Sequence, residues 1–425
     1  MVGLPAVSPA GAAGTRVGTT PADYTPWLSA DTPNQYVRYL RPCGKLMYAV
    51  GRISDVQQGS GGDAAPHYHR YNAFSFSMTT GAVTNWAPRF NGEVRSIVFG
   101  PKCGTAYLGG SFTKVNGVRA RHIVALNART GQIRSGFRHA ANAEVDTLQF
   151  SHGQILAGGR FTRINGAKRV LFASLNPRTG AATKYARFQI AGYYANTMPV
   201  IWNSQRSNAG SRMLIEGVFT SINGKPRQQI AMLNLGRKHA SLNGWTSREF
   251  RRACRVQESF YVRSAAWGPN DGTVYIATTG GRPAKGPGSR VGEPRAGLCD
   301  AAAAFPAAAH RVSHRWVNYT GCDSLYGIAA DNRDVYVTGH ERWANNSNAC
   351  NQSKPPAVNR PGVGSINPRT GMATPWNPTR SLGHGGDAMR LTSGGLWIGS
   401  DNFTNGLAQM CGGQDHHGGI CYFPY

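Results

Sequence analysis

Three nine-residue segments decide the fold: GGSFTKVNG at Gly109–Gly117, GGRFTRING at Gly158–Gly166 and EGVFTSING at Glu216–Gly224. Each is followed by a short basic stretch and then by a β-rich segment, as in HIVALNARTG. Near-identical pieces recurring about every fifty to sixty residues indicate that the chain is assembled from copies of one structural unit.

Weaker copies of the same unit extend along the whole chain. An apolar strand and a Gly-, Asn- or Asp-containing turn precede each copy, which is typical of a tight hairpin. A third strand ends at a polar turn such as NPRTG, and a short aromatic fourth strand follows. The second strand of each unit is predicted to begin at Met47, Ala106, Ile155, Met213, Val274, Val335 and Leu396.

Seven four-stranded antiparallel units predict an all-β fold, a seven-bladed β-propeller whose blades form one domain over residues 21–425. The last unit has three strands. The N-terminal segment around Trp27 is in register with the segments around Trp86 and Trp376, so we expect it to complete the last blade and close the ring. Residues 1–20 are interpreted as a signal-peptide remnant or a flexible arm outside the core.

The repeated GG-x-F-T-x-(V/I)-N-G and (L/I)-N-x-x-T-G pieces resemble the delta-60 type of propeller repeat, found in secreted bacterial proteins. The pieces are clear in units two and three and partly clear in units one, four and six. The resemblance implies the fold and a secreted bacterial protein. It implies almost nothing about activity.

The chain is strongly basic, with 46 Lys and Arg against 20 Asp and Glu and a net charge of +26. This charge favours either binding to a polyanion or an even spread of charge over a soluble disc. No aromatic-interleaved nucleic-acid motif accompanies the basic run SREFRRACR, so no sequence-specific nucleic acid is expected. No apolar stretch is long enough to span a bilayer.

The eight cysteines contain no CxxC pair, which favours disulfides in an oxidising compartment and a secreted, extracellular protein. Cys43 and Cys103 fall in equivalent hairpin turns of neighbouring units, so a bridge between them is geometrically reasonable. The pairing of Cys254, Cys299, Cys322 and Cys350 stays open.

Acidic residues at the start of the innermost strands are the candidate ligand-binding groups. In a propeller, the loops between blades and the loops between second and third strands share one face, where these carboxylates would ring the channel mouth. They would bind a cation, a basic group or sugar hydroxyls, or else pair with arginines such as Arg95. The candidate set is Glu93, Glu144, Glu258, Asp323, Asp387 and His384.

Histidines and an aspartate of the same face are weaker candidates for a metal site, because imidazole with carboxylate is good ligation for zinc. Solvated loop histidines are the more frequent case. No organic cofactor is expected, and the sequence leaves open the binding of a divalent metal ion. These candidates are His67, His69, Asp415, His416 and His417.

The sequence therefore predicts a non-catalytic, lectin-like binding protein that recognises a carbohydrate or an anionic cell-envelope polymer on its loop-rich face. Loop aromatics that could stack on sugars are Tyr193, Tyr194, Trp202 and Trp343. One alternative is a secreted hydrolase or lyase using the acidic mouth or the His/Asp site. Another is a structural subunit of a secreted particle, with a protein partner docked on the disc face.

Overall fold

The computed structural model describes residues 15–59, 64–193, 197–252, 254, 260–280, 297–347, 349–382, 385–404, 407–408, 410–413 and 418–425. This part of the chain is all-β and consists of many small antiparallel sheets, which confirms the predicted class. Two short 3₁₀ turns, Pro101–Cys103 and Glu249–Arg251, lie between strands. No helix among the described residues is long and apolar enough to cross a membrane.

Seven larger sheets, here called sheets 1 to 7 in chain order, lie within the described part of the chain. Their first strands are Tyr36–Cys43, Val94–Phe99, Val145–Ser151, Val200–Arg206, Val262–Trp267, Leu325–Ala330 and Gly386–Thr392. Their second strands are Leu46–Arg52, Thr105–Gly110, Gln154–Gly159, Arg212–Val218, Thr273–Thr278, Val335–Gly339 and Gly395–Ser400. Their third strands are Ala73–Ser77, Ile123–Asn127, Phe172–Leu175, Ile230–Leu235, Ala301–Pro306, Val363–Ile366 and Ile420–Pro424. Each second strand begins at or one residue before its predicted start.

Full fourth strands are present in sheets 4 and 5, as Ala240–Leu242 and Trp316–Tyr319. In sheets 1, 2, 3 and 6 the fourth segment is reduced to a single bridge, such as Phe76 with Val83. The segment is short because a tight turn precedes it and an aromatic residue directed into the core soon follows, as Trp86 does.

The repeated sequence pieces have a local structural explanation. In N-x-x-T-G, the side chain of Asn127 accepts hydrogen bonds from the backbone N–H groups of Arg129 and Thr130, and Gly131 takes a positive φ of 73°. In the N-G pair, Asn116 and Gly117 have φ values of 50° and 80°, which a two-residue hairpin turn requires. The repeat therefore encodes two turn types at fixed places in the units that keep these pieces.

Short accessory strands lie on one side of the larger sheets, which we call the loop face, and most of them are in the segments between second and third strands. They pair with each other or with the segment that leads into the first strand, as Phe90 does with Val115. Their bounds are Trp27–Leu28, Asp55–Gln57, His67–His69, Lys114–Val115, Val118–Arg119, Arg163–Ile164, Ala167–Lys168, Ile190–Ala191, Ser221–Ile222, Lys225–Pro226, Trp343–Ala344, Val358–Asn359, Phe403–Thr404 and Leu407–Ala408.

The first strand of each larger sheet contacts the first strand of the next, and the first strand of sheet 7 contacts that of sheet 1. Apolar clusters fill the spaces between successive sheets. The cluster between sheets 1 and 2, for example, joins Tyr48, Trp86 and Phe112. The core is therefore divided into layers between sheets, and the first strands lie nearest one another at the centre.

Residues 16–22, the N-terminal segment, pack against sheets 6 and 7. The backbone N–H groups of Gly18 and Ala22 donate to the carbonyl oxygens of Pro424 and Tyr422, at 2.7 and 2.8 Å. Val17 is 2% exposed. These residues thus belong to the folded domain, which differs from the boundary expected at residue 20, because their backbone and side chains find partners there. Residues 1–14 lie outside the described residues.

Trp27 was expected on the strand that completes the last unit, but it lies elsewhere. It pairs with Gln57 in an accessory sheet of the loop face. The aromatic residue that follows the Ala22 contact with the third strand of sheet 7 is Tyr24, whose ring lies 6.2 Å from that of Tyr422. The predicted alignment of the N-terminal segment was therefore wrong by three residues, because Tyr24 and Trp27 are both aromatic and the pattern could not distinguish them.

All eight cysteines are paired. The Cys43–Cys103 bridge agrees with the expectation, and it joins hairpin turns of sheets 1 and 2. The four whose pairing the sequence left open form two bridges, Cys254–Cys299 and Cys322–Cys350, and Cys411 pairs with Cys421. Four disulfides favour an oxidising compartment.

Candidate functional site

A β-bulge occurs at the same place in the first strand of every larger sheet. The pairing with the second strand skips one residue near the start of the strand, and a bulge turns that side chain away from the regular alternation. The skipped residues are Arg38, Arg95, Asp146, Trp202, Arg263, Tyr326 and Asp387.

Six of these seven bulge residues line one cavity of about 420 Å³ between the first strands, here called the central cavity. The side chain of the seventh, Asp387, lies outside the described residues. Arg160, Arg390, Tyr36, Tyr39 and Asp401 also line the cavity. Five of its lining residues are arginines and two are aspartates, so the central cavity is a basic site with an aromatic wall.

Two of the predicted acidic residues lie at the rim of this cavity and are paired with arginines. Glu93 lies 3.6 Å from Arg38 and 3.3 Å from Arg95. Glu144 lies 2.5 Å from Arg95 and 3.1 Å from Arg160. The described rim is therefore an Arg–carboxylate cluster, which agrees with the alternative left open by the sequence, that these acids pair with arginines such as Arg95.

Asp146, which sequence reasoning missed, belongs to the same cluster. Its carboxylate lies 2.5 Å from Arg95 and 3.7 Å from Arg160. Burial raises the pKa of the Asp146 carboxyl, although the adjacent Arg95 acts in the opposite direction. The sequence signal was its place one residue after Val145, where the strand of sheet 2 has Arg95.

The remaining predicted acids do not occupy equivalent positions. Asp323 precedes the first strand of sheet 6 by two residues and binds Arg342 with both oxygens, at 2.9 and 2.7 Å. Asp387 lies within the first strand of sheet 7, at its bulge. Glu258 and His384 lie outside the described residues.

The described histidine candidates, His67 and His69, contact different residues and do not form one site. Nδ1 of His67 lies 3.0 Å from Asp55, and His69 packs edge-on against Tyr71 with ring centres 4.6 Å apart. Asp415, His416 and His417 lie outside the described residues. Among the residues that the structure describes, no group of three or more His, Cys, Asp or Glu side chains is arranged to hold a metal ion.

Of the aromatic candidates, Trp202 occupies a different place from the one expected. It lies within the first strand of sheet 4 and faces the central cavity, with the guanidinium of Arg263 5.4 Å from its ring centre. Trp343 is in an accessory strand below the guanidinium of Arg342, and Tyr193 is 63% exposed. Tyr194 lies outside the described residues.

A second concave surface, here called the outer groove, lies on the loop face between sheets 2 and 3. It has a volume of about 440 Å³ and is lined by Arg119, Arg121, Arg138 and His139. The three arginines are exposed, and among the described residues none of their guanidinium groups forms an ion pair. The groove is therefore a ready acceptor for negatively charged groups.

Most of the net charge of the chain lies in the part of the sequence that contains this groove. Residues 97–248, which contain most of sheets 2 to 4, hold 21 Lys and Arg but only 3 acidic residues. The other residues hold 25 Lys and Arg and 17 acidic residues. Glu144 and Asp146 are paired with arginines, and Glu216 is completely buried. An even spread of charge is thus excluded.

No protein-family model and no curated protein matches the chain. Solved structures do match it. The structure of U3-55K aligns with a TM-score of 0.54 at 8% identity, covering 93% of this chain and 97% of that one. The RRP9 WD40 repeats align with a TM-score of 0.55 at 8% identity, covering 95% and 98%. Together with the sheet topology, these similarities show that the chain has a WD40-like β-propeller fold.

Proposed function

We propose that the protein is an extracellular, non-catalytic binding protein that recognises an anionic carbohydrate polymer of the cell envelope on the loop face of sheets 2 to 4. The observation that carries the proposal is the exposed basic groove, which lies in a part of the chain, residues 97–248, with 21 basic against 3 acidic residues. A polymer with regularly spaced carboxylates or phosphates would contact several of these cations at once.

Such binding is driven largely by electrostatics. Each cation that neutralises a charge on a polyanion releases condensed counterions, so the affinity falls steeply as the salt concentration rises. A neutral polymer gains nothing from this term. Salt dependence and discrimination between charged and neutral polymers are therefore the signatures of the proposed function.

We also propose that the seven larger sheets are the blades of a closed ring, in which the N-terminal segment is the outermost strand of sheet 7. The contacts between successive first strands and the hydrogen bonds from Gly18 and Ala22 to sheet 7 support it. A secreted bacterial origin is supported by the delta-60-like repeats and by four disulfides.

The test compares two quadruple variants with the same loss of charge. One replaces Lys114, Arg119, Arg138 and Lys168 of the loop face with Gln. The control replaces four exposed cations outside sheets 2 to 4 with Gln: Lys45, Arg333, Lys354 and Arg369. Binding to immobilised polygalacturonate and to neutral dextran is measured at several salt concentrations.

The loop-face variant is expected to bind polygalacturonate at least tenfold more weakly than the control variant, with a shallower dependence on salt. Dextran should bind neither protein. Equal weakening of both variants, or equal binding of dextran and polygalacturonate, would overturn the proposal.

A further inference from the structure

The central cavity contains cations and hydrogen-bond donors that the surrounding protein does not fully satisfy. The Nε–H of Arg390 and the Nε1–H of Trp202 are buried and have no hydrogen-bond partner. Both residues line the cavity. Buried donors of this kind are rare in folded proteins and usually have a partner such as a ligand or an ordered water.

Among the described residues, the two aspartates that line the cavity are already engaged. Asp146 is held by Arg95, and Asp401 lies 2.5 Å from Arg380 in a fully buried pair. A guanidinium nitrogen of Arg390 donates to the hydroxyl of Tyr39 at 3.3 Å. These contacts therefore join the two aspartates to other arginines and join Arg390 to a tyrosine.

More cations lie beside Arg390. Burial, together with repulsion from Arg390 and Arg206, lowers the pKa of Arg41 to about 10. Arg41 lies two residues beyond Tyr39 in the same strand, and Arg206 ends the first strand of sheet 4. Three guanidinium groups from three strands thus repel one another next to the cavity residue Arg390, and an anion bound there would relieve this repulsion.

The aromatic wall gives the cavity a second chemical property. Trp202, Tyr326, Tyr36 and Tyr39 lie among the arginines. A carboxylate or phosphate needs only the cations, whereas the apolar face of a sugar ring packs well on aromatic side chains. A volume of about 420 Å³ is within the range of small-molecule sites.

We propose that the central cavity is a binding site for a single acidic sugar, with the carboxylate held by Arg390 and the ring packed on Trp202. This site is distinct from the outer groove, and its occupancy does not depend on the function proposed for that groove. The ligand class follows from the combination of arginines, an unpaired indole N–H and a wall of aromatic rings.

The test is titration of the full chain with glucuronate and with glucose, followed by calorimetry. Arg390→Gln and Trp202→Leu remove the two donors from different sheets. Arg369→Gln, at an exposed turn, is the matched control. The loop-face quadruple variant separates this site from the outer groove, and thermal unfolding of each variant shows whether it is folded.

Glucuronate is expected to bind the wild type, the control and the loop-face variant alike, and to bind Arg390→Gln and Trp202→Leu at least tenfold more weakly. Glucose should bind at least tenfold more weakly than glucuronate. Unchanged glucuronate affinity in the two folded cavity variants, or equal affinity for glucose, would overturn the proposal. Inorganic sulfate that competes as strongly as glucuronate would reduce the cavity to a simple anion site and contradict the sugar assignment.

Discussion

Arg95 joins three carboxylates at the rim of the central cavity. Its guanidinium contacts Glu93, Glu144 and Asp146, and its side chain is 17% exposed. Removal of one partner from a largely buried ionic cluster costs more than the intact cluster contributes, because the remaining charges stay desolvated and repel one another. Arg95 therefore neutralises the carboxylates that the first strands of sheets 2 and 3 bring close together.

We expect Arg95→Gln to lower the free energy of unfolding by about 3 kcal/mol at pH 7. The loss should shrink at pH 4, where protonation relieves the repulsion between the carboxylates. Urea unfolding at the two pH values measures both effects, with Arg369→Gln as the exposed control. A loss that is equal at both pH values would contradict the proposed repulsion.

Glu216 is a second residue whose ionisation matters. It occupies the position of Gly109 and Gly158 in the repeat, is completely buried, and has no partner for either carboxylate oxygen. Burial raises its pKa to about 8. The folded state therefore holds a proton that the unfolded chain releases near pH 4.5, and stability falls as the pH rises between these two values.

Glu216→Gln is expected to equal the wild type in stability near pH 4 and to exceed it at pH 8.5 by on the order of 4 kcal/mol. The neutral amide does not need to ionise inside the protein. Denaturant unfolding across this range tests the difference, and Asp31→Asn serves as an exposed acidic control. A constant difference at all pH values would point to packing as its cause.

At the scale of elements, the N-terminal segment stabilises sheets 6 and 7 from outside their own sequence. The segment makes two further contacts besides its hydrogen bonds to sheet 7. Arg16 pairs with the fully buried Asp334 at 2.7 Å, and the indole N–H of Trp376 donates to the carbonyl of Gly18. Val17 packs with Tyr336 and Phe423. The segment therefore fills a space that neither sheet can fill alone.

Val17→Asp is expected to lower stability by about 3 kcal/mol or more, because it places an unpaired charge in an apolar cluster. Hydrogen exchange should accelerate most in Gly395–Ser400 and Ile420–Pro424, which lie next to the segment. Removal of residues 1–14 alone is the control and should leave exchange in these strands unchanged. Uniform acceleration throughout the protein would argue against a local role.

The strands were predictable because their apolar residues and turn residues recur in the sequence. The starts at Ala106 and Ile155, for instance, agree with the structure to one residue. The central cavity was not predictable, because a bulge changes which side chain of a strand faces inward and leaves no compositional trace. Trp202 was therefore taken for a loop residue, and Arg263 was not considered at all.

At the scale of the whole molecule, the disulfides should contribute unequally. Cys43–Cys103 closes a loop with a sequence separation of 60 residues, and Cys411–Cys421 closes one of 10. In the chain-entropy description, the longer loop restricts the unfolded chain more, and the two bridges are worth about 4 and about 3 kcal/mol.

The double variant Cys43→Ser with Cys103→Ser should therefore lose about 1.6 kcal/mol more than Cys411→Ser with Cys421→Ser. Denaturant unfolding of the two double variants under the same conditions measures this order. The reverse order would mean that native-state packing around the Cys411 bridge outweighs the restriction of the unfolded chain.

The position of the N-terminal segment against the third strand of sheet 7 also has a consequence for biosynthesis. Residues 16–22 are synthesised before any strand of sheets 1 to 7, yet their hydrogen-bond partners, Tyr422 and Pro424, are made about four hundred residues later. Contacts between such distant parts of a chain form slowly, because a long loop must close before they are gained. Until that moment sheet 7 has an open edge, so the nascent protein stays vulnerable to wrong strand pairing until Tyr422 and Pro424 have been made.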